Sequence, residues 1–260
     1  MPASSPEQFP QLDILAIAAH RDDVEQTCGG TLLQMAQKGK RTGILDLTQG
    51  EMGTRGSAQD RAREAAEAAR LLEVSWRDAL AIPDGRVENT YANRLQIALM
   101  IRQLRPRVVI LPYWRGRHPD HYMCSILGYE ACFLAGLKKL DIPQALAGEH
   151  VELRKQENLE PHRPFKILYA TLYYDVRPTF VVDISEQFET RFAALMAYKS
   201  QFADQHEGST IFPAQAEIRD RIHSMARFYG LLAGVKYAEP FFQKEIGLVE
   251  DLLALPVQSI

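Results

Sequence analysis

The first half of the chain alternates short apolar runs with amphipathic segments of helical period. Four runs predict strands, at residues 12–19, 43–47, 78–85 and 107–114. The intervening segments predict helices, most clearly at 58–72 and 91–104. Such alternation with short connections is typical of a parallel sheet covered by helices on both faces. The sequence therefore predicts an α/β fold, a Rossmann-like three-layer sandwich with a mostly parallel sheet.

The pattern loosens in the second half. A helix is predicted at 121–140, and a polar stretch at 144–164 is interpreted as a surface excursion. The remaining predicted elements are strands at 165–174 and 179–184 and helices at 186–201 and 214–234. The chain shows no internal repeat or linker, and its 260 residues can form one large core. We therefore expect a single domain over residues 1–260, with mixed strands and helices in its C-terminal part.

Composition excludes several classes of protein. The formal net charge is -3, which gives no reason to expect nucleic acid as a partner. The N-terminal segment lacks a basic region followed by an apolar one, and no run approaches the roughly 20 apolar residues of a membrane span. The three widely spaced cysteines, Cys28, Cys124 and Cys132, fit reduced thiols, with Cys28 buried. We expect a cytoplasmic protein that does not bind membranes.

A polar cluster follows the first predicted strand. His20, Arg21, Asp22, Asp23 and Glu25 lie within six residues, where a buried strand gives way to a helix. One interpretation is structural, because an aspartate at a helix start can accept hydrogen bonds from free N–H groups. The other is chemical, because a histidine beside acidic residues can ligate a metal.

A second cluster follows the fourth predicted strand. His118, Asp120 and His121 open the next helix. Histidines at helix starts are often exposed or capping, so this fragment alone is weak. However, parallel strands bring their carboxyl ends to one edge of the sheet, where ligands collect. Together the two clusters predict a single polar cleft.

The residue types in these clusters fit a catalytic metal site. His20, Asp23 and His121 can hold a metal with one position left for water. The same set suits Zn²⁺ or non-haem Fe²⁺. Asp22, beside a predicted ligand, can act as general base, and hydrolysis at Zn²⁺ needs such a base. His118 can then donate a proton or hydrogen bond to an oxyanion and a leaving amine, with Asp120 available to orient it.

Four further residues are candidates for substrate binding. Glu51 and Arg55 lie in the glycine-rich loop 50–56, which permits close backbone approach but can equally be a flexible surface turn. Asp84 can accept hydrogen bonds from sugar hydroxyls or simply form an Asp-Gly turn. Arg117, beside the second cluster, can line the mouth of the cleft, and Arg55 is our first choice for gripping a carboxylate.

The two clusters resemble the motifs of a known family. They read AHRDDVE at 19–25 and HPDH at 118–121, and they are similar to the AHPDDxE and HPDH motifs of the LmbE-like, PIG-L-like zinc deacetylases. Arg21 departs from that pattern, which has proline there. Further similarity to the bacillithiol-pathway branch lies in DLTQGEMGTRG at 46–56, PYWRGRHPDH at 112–121, YKSQF at 198–202 and YAEPF at 237–241.

The resemblance implies hydrolysis of the N-acetyl group of N-acetylglucosaminyl malate by a homo-oligomeric enzyme. It also implies one Zn²⁺ on His20, Asp23 and His121, with Asp22 as base and His118 assisting the oxyanion. Alternative substrates are another small N-acetylglucosaminide or an amide conjugate, as for a bacillithiol S-conjugate amidase. Two competing hypotheses are a nucleotide-binding α/β protein and a non-catalytic sugar-binding module. The first strand leads into no GxGxxG turn, which disfavours the nucleotide-binding hypothesis.

Overall fold

The computed structural model describes residues 9–149, 159–171, 174, 176–202, 215–255 and 257. The strands are β1 Ile14–Ala18, β2 Thr42–Asp46, β3 Trp76–Ala79, β4 Val108–Pro112, β5 Lys166–Ala170, β6 Phe180–Asp183 and β7 Ala238–Phe242. The helices are α1 Asp23–Thr27, α2 Gly29–Gln37, α3 Ala58–Leu71, α4 Tyr91–Leu104, α5 Pro119–Ala135, α6 Ile142–Gly148, α7 Phe188–Met196, α8 Lys199–Phe202 and α9 Gln215–Ala233. A short 3-10 helix spans Leu252–Ala254.

All seven strands form one sheet in the order β3-β2-β1-β4-β5-β7-β6. The pairs from β3 to β5 are parallel, and β7 runs antiparallel to both of its neighbours. The sheet is therefore mostly parallel, as predicted. Because chain connections leave β1 and β4 in different directions, their carboxyl ends flank the point where the strand order reverses.

Both faces of the sheet are covered by helices. All five residues of β1 are buried, and they alternate between two cores. Leu15 and Ile17 pack with the core that contains α4 and α5, whereas Ala16 and Ala18 pack with the core that contains Val24 of α1. A strand with both faces buried reads as a continuous apolar run, and the predicted three-layer α/β fold is confirmed.

Two strands differ from the sequence prediction. The third strand is Trp76–Ala79 rather than residues 78–85, and the residues after it form the loop that carries Asp84 to the sheet edge. β7 was not predicted, since Pro240 argues against a strand within a sheet. β5 pairs with β7 only at Phe241 and Phe242, so Pro240 lies outside that pairing.

Several helices also differ in extent. The stretch interpreted as an excursion, 144–164, contains most of α6, which begins after Asp141, whose side chain accepts from Gln144 N–H at 3.0 Å. Residues 150–158 lie outside the described part. The single helix predicted at 186–201 is divided into α7 and α8. Residue 214, predicted to start the last helix, and residues 172–173, predicted as strand, also lie outside the described residues.

Two of the quoted motifs hold the layers together. Glu239 in YAEPF is 1% exposed and accepts hydrogen bonds from the N–H groups of Gly30 and Thr31, at 2.9 and 2.7 Å. It thereby binds the N-terminus of α2, where a carboxylate is favoured. In YKSQF, Tyr198 donates to the buried Glu25 at 3.2 Å. These residues support the site without lying in it.

Glu25 belongs to a buried ionic network. Arg77 on β3 donates to Glu25 Oε1 at 2.6 Å and to Asp46 Oδ2 at 2.9 Å. The side chains of Arg77 and Glu25 are 7% and 0% exposed. The network therefore joins the helix that follows β1 to strands β2 and β3.

Removing the arginine should strongly destabilise the protein. Arg77→Met leaves two carboxylates buried without their cation, which costs about 3–5 kcal/mol of unfolding free energy. Urea denaturation of the metal-free protein measures this loss. Arg70→Met is the matched control, because it breaks an exposed Arg70–Glu67 pair on α3 and should change stability little. Equal losses in the two variants would contradict a structural role for the network.

Candidate active site

The two polar clusters meet at the carboxyl ends of β1 and β4. His20 follows β1, and His118 caps α5, which follows β4. Since β1 and β4 are paired in the sheet, His20 and His121 become neighbours although 101 positions separate them in sequence. The predicted common cleft is therefore present.

His20, Asp23 and His121 form a tight triangle of residues, in which Asp23 turns a different oxygen to each histidine. His20 Nδ1 lies 3.2 Å from His121 Nε2 and 3.5 Å from Asp23 Oδ2, and His121 Nε2 lies 3.1 Å from Asp23 Oδ1. Ligands about 2.1 Å from a tetrahedral Zn²⁺ are roughly 3.3–3.4 Å apart. The donor types and spacings thus fit one small divalent cation. Asp23 does not cap α1 but accepts from His20 N–H at 2.9 Å.

The other nitrogen of His20 faces two carboxylates. His20 Nε2 lies 3.1 Å from Asp84 Oδ1 and 3.3 Å from Asp120 Oδ2. The N–H groups of Gly85 and Val87 donate to Asp120 at 2.8 and 3.2 Å. A proton on Nε2 satisfies these acceptors and leaves Nδ1 free to ligate, as in metal-binding histidines with a carboxylate partner.

Asp120 therefore has a different role from the one predicted. Its carboxylate contacts His20 and two backbone N–H groups, whereas only its backbone N–H reaches His118. The carboxylate, which was expected to orient His118, faces His20 instead, and Asp120 holds His118 through its backbone N–H alone. Because Asp120 is 2% exposed and fixed by the loop after β3, it can hold the imidazole of His20 in place.

The charges of the site favour a cation. Burial alone would lower the pKa of His20, but hydrogen bonds with Asp120, Asp23 and Asp84 outweigh it and raise that pKa to about 12. Burial would raise the pKa of Asp23, yet His121 and His20 hold it well below its ordinary value. The three carboxylates around His20 thus favour positive charge at this point, which either a second proton on the imidazole or a metal cation at Nδ1 can supply.

Asp22 adopts an unusual backbone conformation. Its φ is 106°, in the left-handed region, and its side chain makes no capping hydrogen bond to α1. The capping interpretation is therefore wrong for this residue. Burial raises the pKa of Asp22 to about 7, even though Arg61 opposes the shift. A strained residue with a shifted carboxyl pKa in a cleft is typical of a catalytic group.

His118 is both a cap and a member of the site. Its Nδ1 accepts from the N–H of Asp120 at 3.2 Å, which confirms the capping interpretation. Burial and the neighbouring charges of His20 and His121 lower the pKa of His118. A neutral ring that accepts at Nδ1 carries its proton on Nε2, where it can serve as a donor. Nitrogens of all three histidines lie within 4.8 Å of one another.

A large open cavity begins at these groups. It has space for the centres of water-sized groups over about 670 Å³. We call it the large cavity; it is lined by His20, Asp22, Asp23, Gln26, Gly50, Met52, Gly53, Thr54, Arg61, Asp84, Gly85, Arg117, His118, His121 and Gln201. Asp84 and Arg117, two of the predicted substrate-binding residues, are therefore at this surface.

Glu51 and Arg55 are placed differently. Glu51 accepts from the N–H groups of Gln49 and Asp84, at 3.2 and 2.8 Å, so it joins two loops. Arg55 donates to the carbonyl oxygen of Gln201 at 3.3 Å, and Gln201 donates back to the carbonyl oxygen of Arg55 at 2.6 Å. Both residues position the loop whose glycines line the large cavity. The structure does not support Arg55 as the first carboxylate-binding residue.

Arg61 of α3 is a site residue that the motifs in the sequence did not indicate. It is 5% exposed, lines the large cavity and lies 3.5 Å from Asp22 Oδ1. It also donates to the carbonyl oxygen of Arg21. The available signal was its position, because Arg61 shares one helical face with the buried Ala65, Ala68 and Leu72.

Arg21, which stands where the family pattern has proline, is held in place by hydrogen bonds. Its guanidinium donates to the carbonyl oxygens of Ala58 and Gln49, at 2.9 and 3.4 Å. These bonds join the loop after β1 to the loop after β2. The departure at Arg21 therefore leaves the neighbouring His20 and Asp23 in place.

Comparison with known proteins agrees with this geometry. Residues 15–132 match the model of PIG-L, the GlcNAc-PI de-N-acetylase family. Diacetylchitobiose deacetylase of Thermococcus kodakarensis is 30% identical over 237 residues, which cover 87% of this chain and 80% of the relative. The chain belongs to the GlcNAc-PI de-N-acetylase family. Membership in this family of N-deacetylases confirms the predicted enzyme class.

Solved structures of similar proteins share the fold of this family member. The conserved protein TT1542 from Thermus thermophilus has a TM-score of 0.77 at 38% identity, covering 92% of this chain and 98% of the other. N,N'-diacetylchitobiose deacetylase from Pyrococcus horikoshii has a TM-score of 0.73 at 26% identity, covering 88% and 82%. Among the described residues, no helix of this PIG-L family chain is long and apolar enough to cross a membrane.

Proposed function

We propose that the chain is a zinc-dependent hydrolase that removes the acetyl group from the amine of a small N-acetylglucosaminide. The observation that carries this proposal is the triangle of His20, Asp23 and His121 next to the strained, partly buried Asp22 in the large cavity. Acidic side chains around the end of β1 disfavour a nucleotide phosphate there. A sugar-binding protein would have no use for Asp22 in this conformation.

Each residue has a role in a balanced hydrolysis. A divalent cation on His20, Asp23 and His121 would lower the pKa of water and polarise the amide carbonyl. The Asp22 carboxylate takes a proton from the attacking water, whose oxygen bonds to the acyl carbon. The C–N bond breaks as Asp22 passes that proton to the amine nitrogen, giving a free amine and a carboxylic acid that ionises to the carboxylate. Nε2–H of His118 donates to the developing oxyanion.

The choice of Zn²⁺ over Fe²⁺ rests on chemistry rather than on the ligand set. Two imidazoles and one carboxylate suit both ions. Asp22 supplies a further carboxylate beside the proposed ligand Asp23, and this favours a hydrolytic site, since oxygen activation needs no general base. Metal analysis of protein purified without added metal tests the choice, with about one zinc per chain expected. Iron as the main metal would contradict it.

The proposed substrate is N-acetylglucosaminyl malate, which carries two carboxylates on its aglycone. Arg117 supports this choice, because it is exposed at the large cavity beside His118 and offers a cation for a carboxylate. Diacetylchitobiose is the competing substrate, since two similar proteins bear that activity in their names. Bacillithiol-type amide conjugates form a third class. Acetate release from equal concentrations of the three compounds, compared with free N-acetylglucosamine, ranks them.

Arg117 should distinguish anionic from neutral substrates. Arg117→Gln removes a charge-assisted hydrogen bond, so we expect KM for N-acetylglucosaminyl malate to rise by about 10-fold or more. KM for diacetylchitobiose should change little. Arg55→Lys is the control, because Arg55 supports a loop through Gln201 and its loss should affect both substrates alike. A selective effect of Arg55→Lys, with none for Arg117→Gln, would reverse the assignment.

His118 can be tested without losing the helix cap. Asparagine is a good N-cap residue, so His118→Asn should preserve the start of α5 while removing the Nε2–H donor. We expect zinc content and substrate binding to stay near wild type, and turnover to fall by about 10²–10³-fold. Titration of bound zinc with a chelator provides the check. Loss of zinc would identify His118 as a ligand.

Assembly and location complete the proposal. We propose a cytoplasmic homo-oligomer. The three cysteines are free and buried, consistent with a reducing compartment.

One face of α5 exposes apolar surface at Ile126, Tyr129 and Phe133, which are 40%, 42% and 56% exposed. This surface supports contact with a second copy of the chain. Light scattering of the purified protein measures its mass.

A further inference from the structure

A second cavity lies on the other side of the proposed metal ligands. Asp23 and His121 line both this cavity and the large cavity, so the two share a wall. We call it the small cavity; it is lined by Ala16, Ile17, Ala18, Asp23, Val24, Thr27, Cys28, Ile110, Leu111, Pro112, Tyr113, Arg115, Gly116, His121 and Ala170. It therefore borders two of the proposed metal ligands and lies among residues of α1 and strands β1, β4 and β5.

The inner walls of the small cavity are apolar and small. Ala16 and Ala18 of β1, Ala170 of β5 and Ile110 of β4 are at most 3% exposed and belong to one core. Alanine side chains end at Cβ, so the sheet leaves space here, and Val24 of α1 does not fill it. Protein cores are otherwise closely packed, which makes an open space beside a metal site a candidate for binding.

The small cavity has space for the centres of water-sized groups over about 30 Å³, which is room for roughly two of them. Tyr113, Arg115 and Gly116 lie in the segment after β4. Arg115 is exposed, and its positive charge suits a small carboxylate that leaves by this route. The large cavity, in contrast, carries the polar groups that a sugar needs.

The two sides of the substrate differ in the same way. On one side of the scissile amide is a polar glucosaminide, and on the other a short apolar acyl chain. With the sugar in the large cavity and the carbonyl between the two cavities, the acyl chain extends past Asp23 and His121. Apolar walls favour a methyl group over water at that point.

We propose that the small cavity binds the acyl group of the substrate, and that Ile110 and Ala170 limit the length of the acyl chain. This inference rests on the proposed amide hydrolysis. It assigns to the apolar face of the site the selection of acetyl over propionyl and butyryl groups. The preference is set by volume, since an added methylene must displace a wall.

Two variants change the volume in opposite directions. Ile110→Val removes one carbon from the wall, and Ala170→Val adds two. Valine suits both positions, because they lie in strands. Ile44→Val is the matched control, since Ile44 of β2 belongs to the same core and is 0% exposed, but does not line the small cavity.

Two readouts are needed. The first is kcat/KM for N-acetyl-, N-propionyl- and N-butyrylglucosamine. The second is calorimetric binding of acetate, propionate and butyrate to the zinc-loaded protein, which does not depend on turnover. Zinc content is measured for each variant.

We expect Ile110→Val to raise the propionyl-to-acetyl ratio of kcat/KM by about 10-fold and to strengthen propionate binding relative to acetate. Ala170→Val should lower kcat/KM for the acetyl substrate by about 10-fold and weaken acetate binding, with normal zinc. Unchanged ratios and affinities in Ile110→Val, or an equal shift in Ile44→Val, would overturn the assignment. If wild type released no carboxylate from any substrate, the proposed function would fail, while the carboxylate-binding series would still decide the role of the small cavity.

Discussion

Replacing Asp22 with asparagine should leave the metal site intact and nearly abolish turnover. The asparagine side chain has the same shape but cannot accept the proton of the attacking water, so we expect turnover to fall by about 10²–10⁴-fold. The fold should tolerate the change, because asparagine adopts the left-handed φ found at Asp22 more readily than most residues. Steady-state kinetics and zinc analysis of one preparation measure both quantities.

A second variant, at the buried neighbour Arg61, tests the role of Asp22 as base through the pH dependence of turnover. Arg61→Met removes the cation 3.5 Å from Asp22 Oδ1. Since Arg61 opposes the upward shift of the pKa of Asp22, its loss should raise that pKa further. The acid limb of the pH–rate profile should then move to higher pH. Normal turnover in Asp22→Asn would show that another group is the base.

Replacing His121 with alanine should empty the metal site. His121 supplies one of three close donor atoms, with Nε2 3.1 Å from Asp23 Oδ1, and two remaining ligands bind a divalent cation weakly. We expect zinc to fall to background after gel filtration and activity to fall with it, by about 10³-fold or more. The free Asp23 carboxylate also loses a partner that keeps its pKa low.

The two substitutions separate ligand from base. Asp22→Asn should give an inactive protein with zinc, and His121→Ala an inactive protein without it. Excess zinc should therefore fail to restore the first variant, whereas the second should recover only in part and only at high zinc concentration. Zinc retention by His121→Ala with intact affinity would move the site to another group of candidate ligands, His20, Asp84 and Asp120.

Much of this architecture could be predicted from the sequence because it depends on local patterns of residues. A buried parallel strand gives a continuous apolar run, and a strand end gives a polar cluster, so β1, β4 and the pairing of His20 with His121 followed from sequence. β7 could not be predicted in this way, because Pro240 argues against a strand and because β7 pairs with β5 at only two residues. Its place depends on distant partners that no local pattern contains.

The substrate-binding side chains were harder to predict for the same reason. Glycines around Arg55 indicated a loop near the site, but the direction of the guanidinium is set by Gln201, 146 positions away. Arg61 was not predicted because the many charged residues of α3 indicate an exposed helix, although Arg61 lies on the same buried face as Ala65 and Ala68. Asp120 lies two positions from His118 in sequence, yet its carboxylate faces His20, because the N–H groups of Gly85 and Val87 in the loop after β3 hold it there.

The most direct test of the proposed function is acetate release by protein from which metal has been removed and then restored. The protein is treated with a chelator, divided, and incubated with N-acetylglucosaminyl malate or diacetylchitobiose, with and without one equivalent of Zn²⁺. We expect equal amounts of acetate and free amine, formed only after zinc is restored and absent in Asp22→Asn. Undiminished release by the metal-free protein, or no release from either substrate after zinc is restored, would contradict the proposed function.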